Sequence, residues 1–362
     1  MQLFQPDNFS ESKIKYKKVF GDFNFITILN HYFKEYTLND IFQLDRPEVN
    51  SENYKVVLSI KNRPVIILIR KYKNLSDLEQ IRLYLDLIEK MAKNGVLVSR
   101  VIKNENGELV MKVGEDIIAL FEFIEGEYFS PTEERFASVA KAIAKMHASF
   151  DLLSENFVNQ VAEFSEETKA YYNIIKEYSV RDFDVIREII EKKVTKDDSD
   201  RAVLEKIPLF IVTVAEIKSF EKLWLSLPRK IIHSDLHPHN VLFKNNVVVA
   251  ILDFDAVRIS QRGRDVAFAL YRFGRQFLVN KNLDQVKLLG PEMRDIFIKS
   301  YRQIQAISDE DVVLMPLLLK DEFINKVLLV LKGIYLEKNH VWAKDLSKFL
   351  VAVEEIDYFW PK

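Results

Sequence analysis

The chain has 362 residues, with 52 Lys and Arg against 54 Asp and Glu, a formal charge of −2 and no cysteine. That length suits two or three domains with real cores, and 48% hydrophobic residues beside 29% charged ones is the balance of a globular protein. The missing cysteines exclude a disulfide framework, a thiol nucleophile and any cysteine-ligated metal, and the even charge without a long basic block argues against nucleic acid as the main partner.

The start, Met1-Gln2-Leu3-Phe4-Gln5-Pro6-Asp7, has neither the cationic region nor the apolar stretch of a signal peptide. Tyr54–Ile60 reads as a strand, Lys61-Asn62-Arg63-Pro64 as a turn, and Val65–Arg70 as the antiparallel return. Asp77–Lys93 carries Leu78, Ile81, Leu85, Ile88 and Met91 at helical spacing, with Gly95 as a stop. Two further hairpin strands follow, with an Asn-Gly turn in Asn104–Glu108 and a nearly apolar run from Ile117 to Ile124. From Pro131 the pattern turns helical: Phe136, Val139, Ile143, Met146 and Phe150 share one face of Glu133–Phe150, with Thr132 placed to cap it. Residues 151–225 are charged and mostly helical by period, broken by the polar stretch 195–200, and the charge run Lys192–Arg201 reads as a solvated loop. A strand pair, Val241–Phe243 and Val247–Leu252, interrupts the helices, which resume over 264–355. The apolar runs Val247–Leu252 and Val312–Leu319, the second interrupted by Pro316, fall short of the ~20 residues that span a bilayer. No membrane partner is expected, and a cytoplasmic protein is the simplest reading.

The chemistry-bearing segment is His233-Ser234-Asp235-Leu236-His237-Pro238-His239-Asn240, an H-x-D-x-x-x-x-N pattern; Asp253 follows thirteen residues past Asn240, at the end of a hydrophobic strand. Phosphoryl transfer to a hydroxyl needs a carboxylate near the acceptor to take or orient its proton, and an amide oxygen plus a second carboxylate to hold Mg²⁺ against the nucleotide phosphates. Asp235 fits the first role, Asn240 with Asp253 the second. Ending a buried strand with two acids, Asp253 and Asp255, costs stability unless something cationic is bound.

These motifs resemble those of the aminoglycoside phosphotransferase and choline kinase-like group of protein-kinase-fold enzymes. His233–Leu242 matches the group's catalytic loop and Leu252-Asp253-Phe254-Asp255 its metal-binding Asp-x-Asp. The resemblance implies a bilobal, protein-kinase-like α+β fold, with a small antiparallel-sheet lobe over 1–124 and a large, mainly helical catalytic and substrate lobe over 125–362. It further implies ATP (GTP stays open) and Mg²⁺ between the lobes, Asp235 as base, Asn240, Asp253 and Asp255 as metal ligands, and a hydroxyl-bearing small molecule as acceptor. Ile67–Tyr72 resembles the strand carrying the phosphate-contacting cation. Arg70 and Lys71 face opposite sides of the sheet, so only one enters the cleft; Arg70 is preferred, with Lys71 the alternative. Ser51 and Asn53 sit where the nucleotide-covering hairpin belongs, and their side chains replace its usual glycines. Phe121–Gly126 resembles the hinge, where the Glu122 carbonyl and the Ile124 amide would bond adenine. His233 orders the loop by hydrogen bonds, His237 is open to the same role, and Asp265 matches a buried acid that braces it. The helix glutamate that should pair with the strand cation is replaced by Tyr84, leaving Glu79 or Asp86 as substitutes.

Three other readings compete. His233, His237 and His239 superficially suggest a metal cluster, although Pro238 and the Asp-x-Asp argue against it. Ser51-Glu52-Asn53 and Leu75-Ser76-Asp77 resemble bacterial stress-response kinases that act on protein Ser or Thr. The glycine-poor nucleotide loop and the missing helix glutamate also suit a catalytically weak pseudokinase or structural protein, as among spore-coat relatives. His147, on an apolar helix face, reads as a core histidine. The acceptor's identity and the oligomeric state are not legible.

Overall fold

A computed structural model describes residues 4, 13–19, 24–45, 51–73, 77–171, 177–339 and 343–361. Leu75, Ser76 and most of Met1–Asp7 lie outside them. In chain order the elements are β1 (Tyr16–Lys18), α1 (Phe25–Asn30), β2 (Thr37–Leu44), β3 (Ser51–Ile60), β4 (Arg63–Tyr72), α2 (Leu78–Lys93), β5 (Val101–Ile102), β6 (Met111–Val113), β7 (Asp116–Glu122) and α3 (Glu133–Phe150). There follow α4 (Glu155–Tyr171), α5 (Val180–Glu191), α6 (Asp198–Ser219), α7 (Glu221–Ser226), β8 (Arg229–Ile232), β9 (Val241–Lys244), β10 (Val247–Ile251) and β11 (Arg258–Gln261). The chain ends in α8 (Arg262–Leu278), α9 (Leu283–Arg302), α10 (Asp309–Lys332) and α11 (Leu346–Ile356).

Two compact units share these elements: a sheet unit, Glu11–Gln160 with Pro238–Val257, and a helical unit, Val161–His237 and Arg258–Lys362 with the stretch around Phe4. The sheet unit therefore takes in α3 and the β9–β10 hairpin, both beyond residue 124.

In the sheet unit, seven strands run antiparallel in the order β1-β2-β3-β4-β7-β5, with β6 also paired to β7. The strands β3 and β4 are longer than the sequence pattern predicts, because the turn needs only Lys61 and Asn62, both left-handed at φ 50° and 58°. Two consecutive positive-φ residues make the primed turn whose twist matches that of the strands. One face of the sheet buries Val56, Leu58, Ile67, Ile69, Ile118 and Leu120 against Phe25, Ile28 and Leu29 of α1. The Asn-Gly segment Asn104–Glu108 is a closed loop on the Asn104 side chain, whereas the tight hairpin into β7 turns at Gly114 (φ +62°). The caps of α2 and α3 are Asp77 and Thr132, each accepting backbone N–H groups of the first turn. Ser138 of α3 accepts the Val248 amide, which seats β10 on that helix.

In the helical unit α10 packs against α5, α6, α8 and α11, and it continues through Pro316. A fully buried clamp ties α8 to α11: Tyr271 and the Arg275 guanidinium both donate to Glu355 at 2.6–2.9 Å. The charge run Lys192–Arg201 is not a solvated loop throughout. Asp197 caps α6 in a reciprocal capping box with Asp200, and Asp200, 1% exposed, accepts from Lys193 and the Tyr335 hydroxyl. A carboxylate among so many charges is worth burying only because three donors meet it there. His147 is fully buried beside Phe150, as its helix face implies.

Candidate active site

The helical unit holds Asp235. Strand β8 pairs antiparallel with β11, and its apolar end, Ile231 and Ile232, is buried. Directly after it Ser234 is left-handed at φ 73°, a conformation that costs a non-glycine residue of order 1 kcal/mol unless neighbours impose it. Asp265 imposes it. From the first turn of α8, 1% exposed, its Oδ2 accepts the His233 amide at 2.6 Å and its Oδ1 the Ser234 amide at 2.7 Å. His233, fully buried, accepts the Asp235 amide on Nδ1 at 3.3 Å, which places its own proton on Nε2. Both residues thus stand where the sequence puts them, ordering the loop.

Asp235 reaches His237, with Oδ2 3.4 Å from Nε2, and its side chain keeps 38% exposure. Burial works against its charge, but the His237 imidazole, a hydrogen bond to it, and the Lys326 ammonium outweigh that and hold the carboxyl well below the usual range. An ionised acceptor is therefore presented at neutral pH. So acidic a carboxylate is suited to orienting a hydroxyl and taking its proton late, when bonding to phosphorus has already acidified it. Among the described residues no three His, Asp or Glu side chains are grouped so as to hold a metal.

The sheet unit holds the other candidates. Asn240, 6% exposed, opens the β9–β10 hairpin, and its carbonyl accepts the Leu252 amide at 2.8 Å; one residue earlier, Ile251 donates to the Leu97 carbonyl. Those two bonds fix the end of β10, beyond which Asp253 turns left-handed (φ 66°) and Asp255 enters a short 3-10 turn, 7% exposed. Arg70 on β4 bridges both acids: Nη2 donates to Asp253 Oδ1 at 2.9 Å and to Asp255 Oδ2 at 2.7 Å. Its guanidinium lies 5.2 Å from the Tyr72 ring centroid, and burial, with Asp255 nearby, pushes that phenol's pKa up.

Strand alternation separates the two cations as expected, for Lys71 points the other way and pairs with Asp116 at 2.9 Å. The proposed helix partners of Arg70 are occupied elsewhere on α2, Glu79 with Arg82 and Asp86 with Lys90. Tyr84 is buried and accepts from Gln80. Across the ladder, Asn53 faces Arg70 and Ser51 faces Tyr72; Asn53 donates to the Ser51 hydroxyl. At the hinge-like segment Glu122 O accepts the Ser99 hydroxyl at 2.6 Å, which leaves one lone pair, while the Ile124 amide has no hydrogen bond among the described residues. One acceptor and one donor two residues apart suit the edge of a purine.

The donor set of Asn240, Asp253 and Asp255 is all oxygen, which fits Mg²⁺ or Ca²⁺ and not a nitrogen- or sulfur-seeking metal. Sequence reasoning missed Ser99, the strand β11, and the charged residues Glu322 and Lys326 of α10. The last two lie 87 and 91 residues past Asp235, in a helix whose sequence gives no sign of the loop it meets.

A family model described as the phosphotransferase enzyme family matches residues 47–297. Among curated proteins, the homoserine kinase of Zymomonas mobilis is 22% identical over 278 residues, covering 75% of this chain and 74% of that protein. The homoserine kinase of Mesorhizobium japonicum is 22% identical over 297 residues, covering 80% of each. Among solved structures, an aminoglycoside phosphotransferase from Alicyclobacillus acidocaldarius superposes with a TM-score of 0.61 at 14% identity, covering 91% of this chain and 92% of that one. The amicoumacin kinase hAmiN, in complex with AMP-PNP, Ca²⁺ and Ami, gives 0.59 at 15% identity, covering 92% and 94%. At such identities the structural likeness is one of fold, and the fold is kinase-like.

Proposed function

This chain belongs to the phosphotransferase enzyme family, and from that premise we propose that it moves the γ-phosphate of ATP, with Mg²⁺, to a hydroxyl of a small molecule. The observation that carries the reading is the carboxylate of Asp235, kept ionised beside His237 on a turn that Asp265 locks. Asp235 accepts the hydroxyl's proton as the acceptor oxygen bonds the γ-phosphorus and the β,γ-bridging oxygen leaves on ADP. Arg70 pairs with phosphate oxygens, and the Glu122 carbonyl and Ile124 amide take the adenine edge, with Ser51 and Asn53 alongside the phosphates. Asn240, Asp253 and Asp255 would hold the Mg²⁺, which when bound neutralises developing phosphate charge. Among acceptors, homoserine stands first for testing, because it names the activity of the curated relatives.

The test is coupled ADP release over a panel of hydroxyl-bearing metabolites and antibiotics, with ATP and GTP, for the parent and Asp235→Ala. Asp235→Ala is expected to abolish transfer while ATP with Mg²⁺ still raises the melting temperature by several degrees at saturation. Full activity in Asp235→Ala sinks the assignment of the base. Labelled phosphate entering protein instead of metabolites in a cell extract sinks the small-molecule acceptor.

A further inference from the structure

Arg70, in the sheet unit, meets the two acids with one atom. Its Nη2 stands between Asp253 Oδ1 at 2.9 Å and Asp255 Oδ2 at 2.7 Å, so a single nitrogen fills the gap between the carboxylates. The Tyr72 ring backs the guanidinium, and both the Arg70 and the Asp255 side chains are largely shielded from water. The acids that could draw Arg70 away are engaged with other bases. On α2, Glu79 pairs with Arg82, Asp86 with Lys90, and Glu89 with Arg100 while also accepting the Val101 amide. On the sheet, Asp116 holds Lys71 and Glu52 holds Lys73.

Asp253 and Asp255 are also, with Asn240, the oxygens that fit a divalent ion. Magnesium binds oxygen at ~2.1 Å, and an ion between Asp253 Oδ1 and Asp255 Oδ2 excludes a nitrogen from the same gap. An ion on the outer oxygens of the two acids still faces a positive charge held close by, in surroundings that screen it poorly. Two carboxylates and one guanidinium leave a net charge of −1. A divalent ion arriving alone reverses that sign in a partly buried spot, whereas an ion arriving with phosphates does not.

We infer that Arg70 is the resident counter-ion of Asp253 and Asp255 and bars a divalent ion from binding them by itself, so that metal and nucleotide bind only as a pair. The phosphates take the guanidinium as the acids take the ion. This rests on the phosphotransfer reading above and adds to it a coupling between the two ligands. A guanidinium suits both sets of partners, because its flat fork of donors matches carboxylate and phosphate alike. The coupling is reciprocal: nucleotide tightens the metal by the same factor by which metal tightens the nucleotide.

Mn²⁺ is the probe, because its electron-spin resonance signal is lost on binding and reports the ion without any turnover. It is titrated without nucleotide into the parent, Arg70→Met, Arg70→Lys and Lys71→Met, and AMP-PNP is then titrated with excess EDTA or with saturating Mn²⁺. Mn²⁺ alone is expected to bind Arg70→Met at least ~10-fold more tightly than the parent, although that variant binds AMP-PNP more weakly. The factor by which Mn²⁺ tightens AMP-PNP should shrink in Arg70→Met at least as much. Arg70→Lys, which keeps the charge, and Lys71→Met, on the opposite face, should stay near the parent for Mn²⁺ alone. Adding Asp253→Asn to Arg70→Met should remove the gain, as an ion held by the acid pair requires. Thermal melts verify folding, and Arg70→Gln carries the same expectation where Arg70→Met does not fold. Equal affinity of Mn²⁺ alone for the parent and the neutral variants, with AMP-PNP still binding the parent, overturns the proposal and leaves the phosphotransfer reading standing. Failure of AMP-PNP to bind the parent with or without Mn²⁺ overturns both.

Discussion

Replacing Asp265 by alanine tests whether one buried carboxylate holds the catalytic turn. The side chain accepts two amides, from His233 at 2.6 Å and Ser234 at 2.7 Å, and both the acid and His233 are essentially inaccessible to water. A hydrogen bond to a charged group contributes ~1.5–3 kcal/mol, and a buried N–H deprived of its partner costs ~1–3 kcal/mol, so two such bonds amount to about 3–5 kcal/mol. For a unit of this size that is roughly a 10 °C fall in melting temperature. The effect on turnover should exceed the effect on stability, because Ser234 is no longer compelled to stay left-handed. Relaxation of that residue swings Asp235 by an ångström or more, and a misplacement of that order costs ~10²-fold in rate. Thermal melts, ATP-induced shifts and kcat measured together separate the two effects. Asp265→Asn, which keeps one acceptor oxygen, should lie between parent and Asp265→Ala in both. A loss under ~1 kcal/mol, or a normal kcat in Asp265→Ala at a temperature where it is folded, refutes the reasoning.

Two further outcomes concern the charged pairs. Arg70→Met strands Asp253 beside Asp255, the latter a buried acid, and is expected to destabilise the sheet unit by about 2 kcal/mol and to weaken ATP at least 10-fold, read by melting and titration. Lys71→Met, on the opposite face, should leave nucleotide affinity alone; an equal loss in both variants dismisses the alternation argument. For Glu322, burial opposes the charge, but Arg258 above all, then Lys326 and Arg264, hold its pKa down to about 2 from 4.5. A depressed carboxyl contributes stability above its unfolded pKa and loses it as pH falls through the folded one. The parent should therefore lose about 3 kcal/mol between pH 4.5 and pH 2 that Glu322→Gln, already weaker at pH 7, does not lose. Parallel acid melts of the two proteins would contradict this.

Local signals accounted for the elements they can reach. Thr132 announces α3 because a cap and its helix are neighbours in sequence, and the alternation in β4 puts Arg70 and Lys71 on opposite faces. The loop from His233 to Asn240 was legible because its chemistry is confined to eight consecutive residues. Partners brought together only by tertiary packing were not. Asp253 and Asp255 take Arg70 from 183 and 185 residues away, in place of the acid that α2 was expected to supply. Nothing local in β11, four residues of which only Ile259 is apolar, predicts that β8 will pair with it. The turn into β7 was misplaced because Asn-Gly outweighs Gly-Glu as a hairpin signal, yet Asn104 spends its side chain closing its own loop.

Neither compact unit is a continuous piece of chain, and this has a consequence for how the protein is made. A ribosome delivers the sheet unit nearly whole by residue 160, but the hairpin that carries Asn240 and the turn that carries Asp253 arrive some eighty residues later. Until then Arg70 has been synthesised without either of its carboxylates. Phe4 waits longest of all, since the ring it meets edge-on belongs to Tyr358, four residues from the end. Vectorial synthesis therefore releases the strand framework early and withholds Asp235, Asn240 and Asp253 until about two-thirds of the 362 residues have been made.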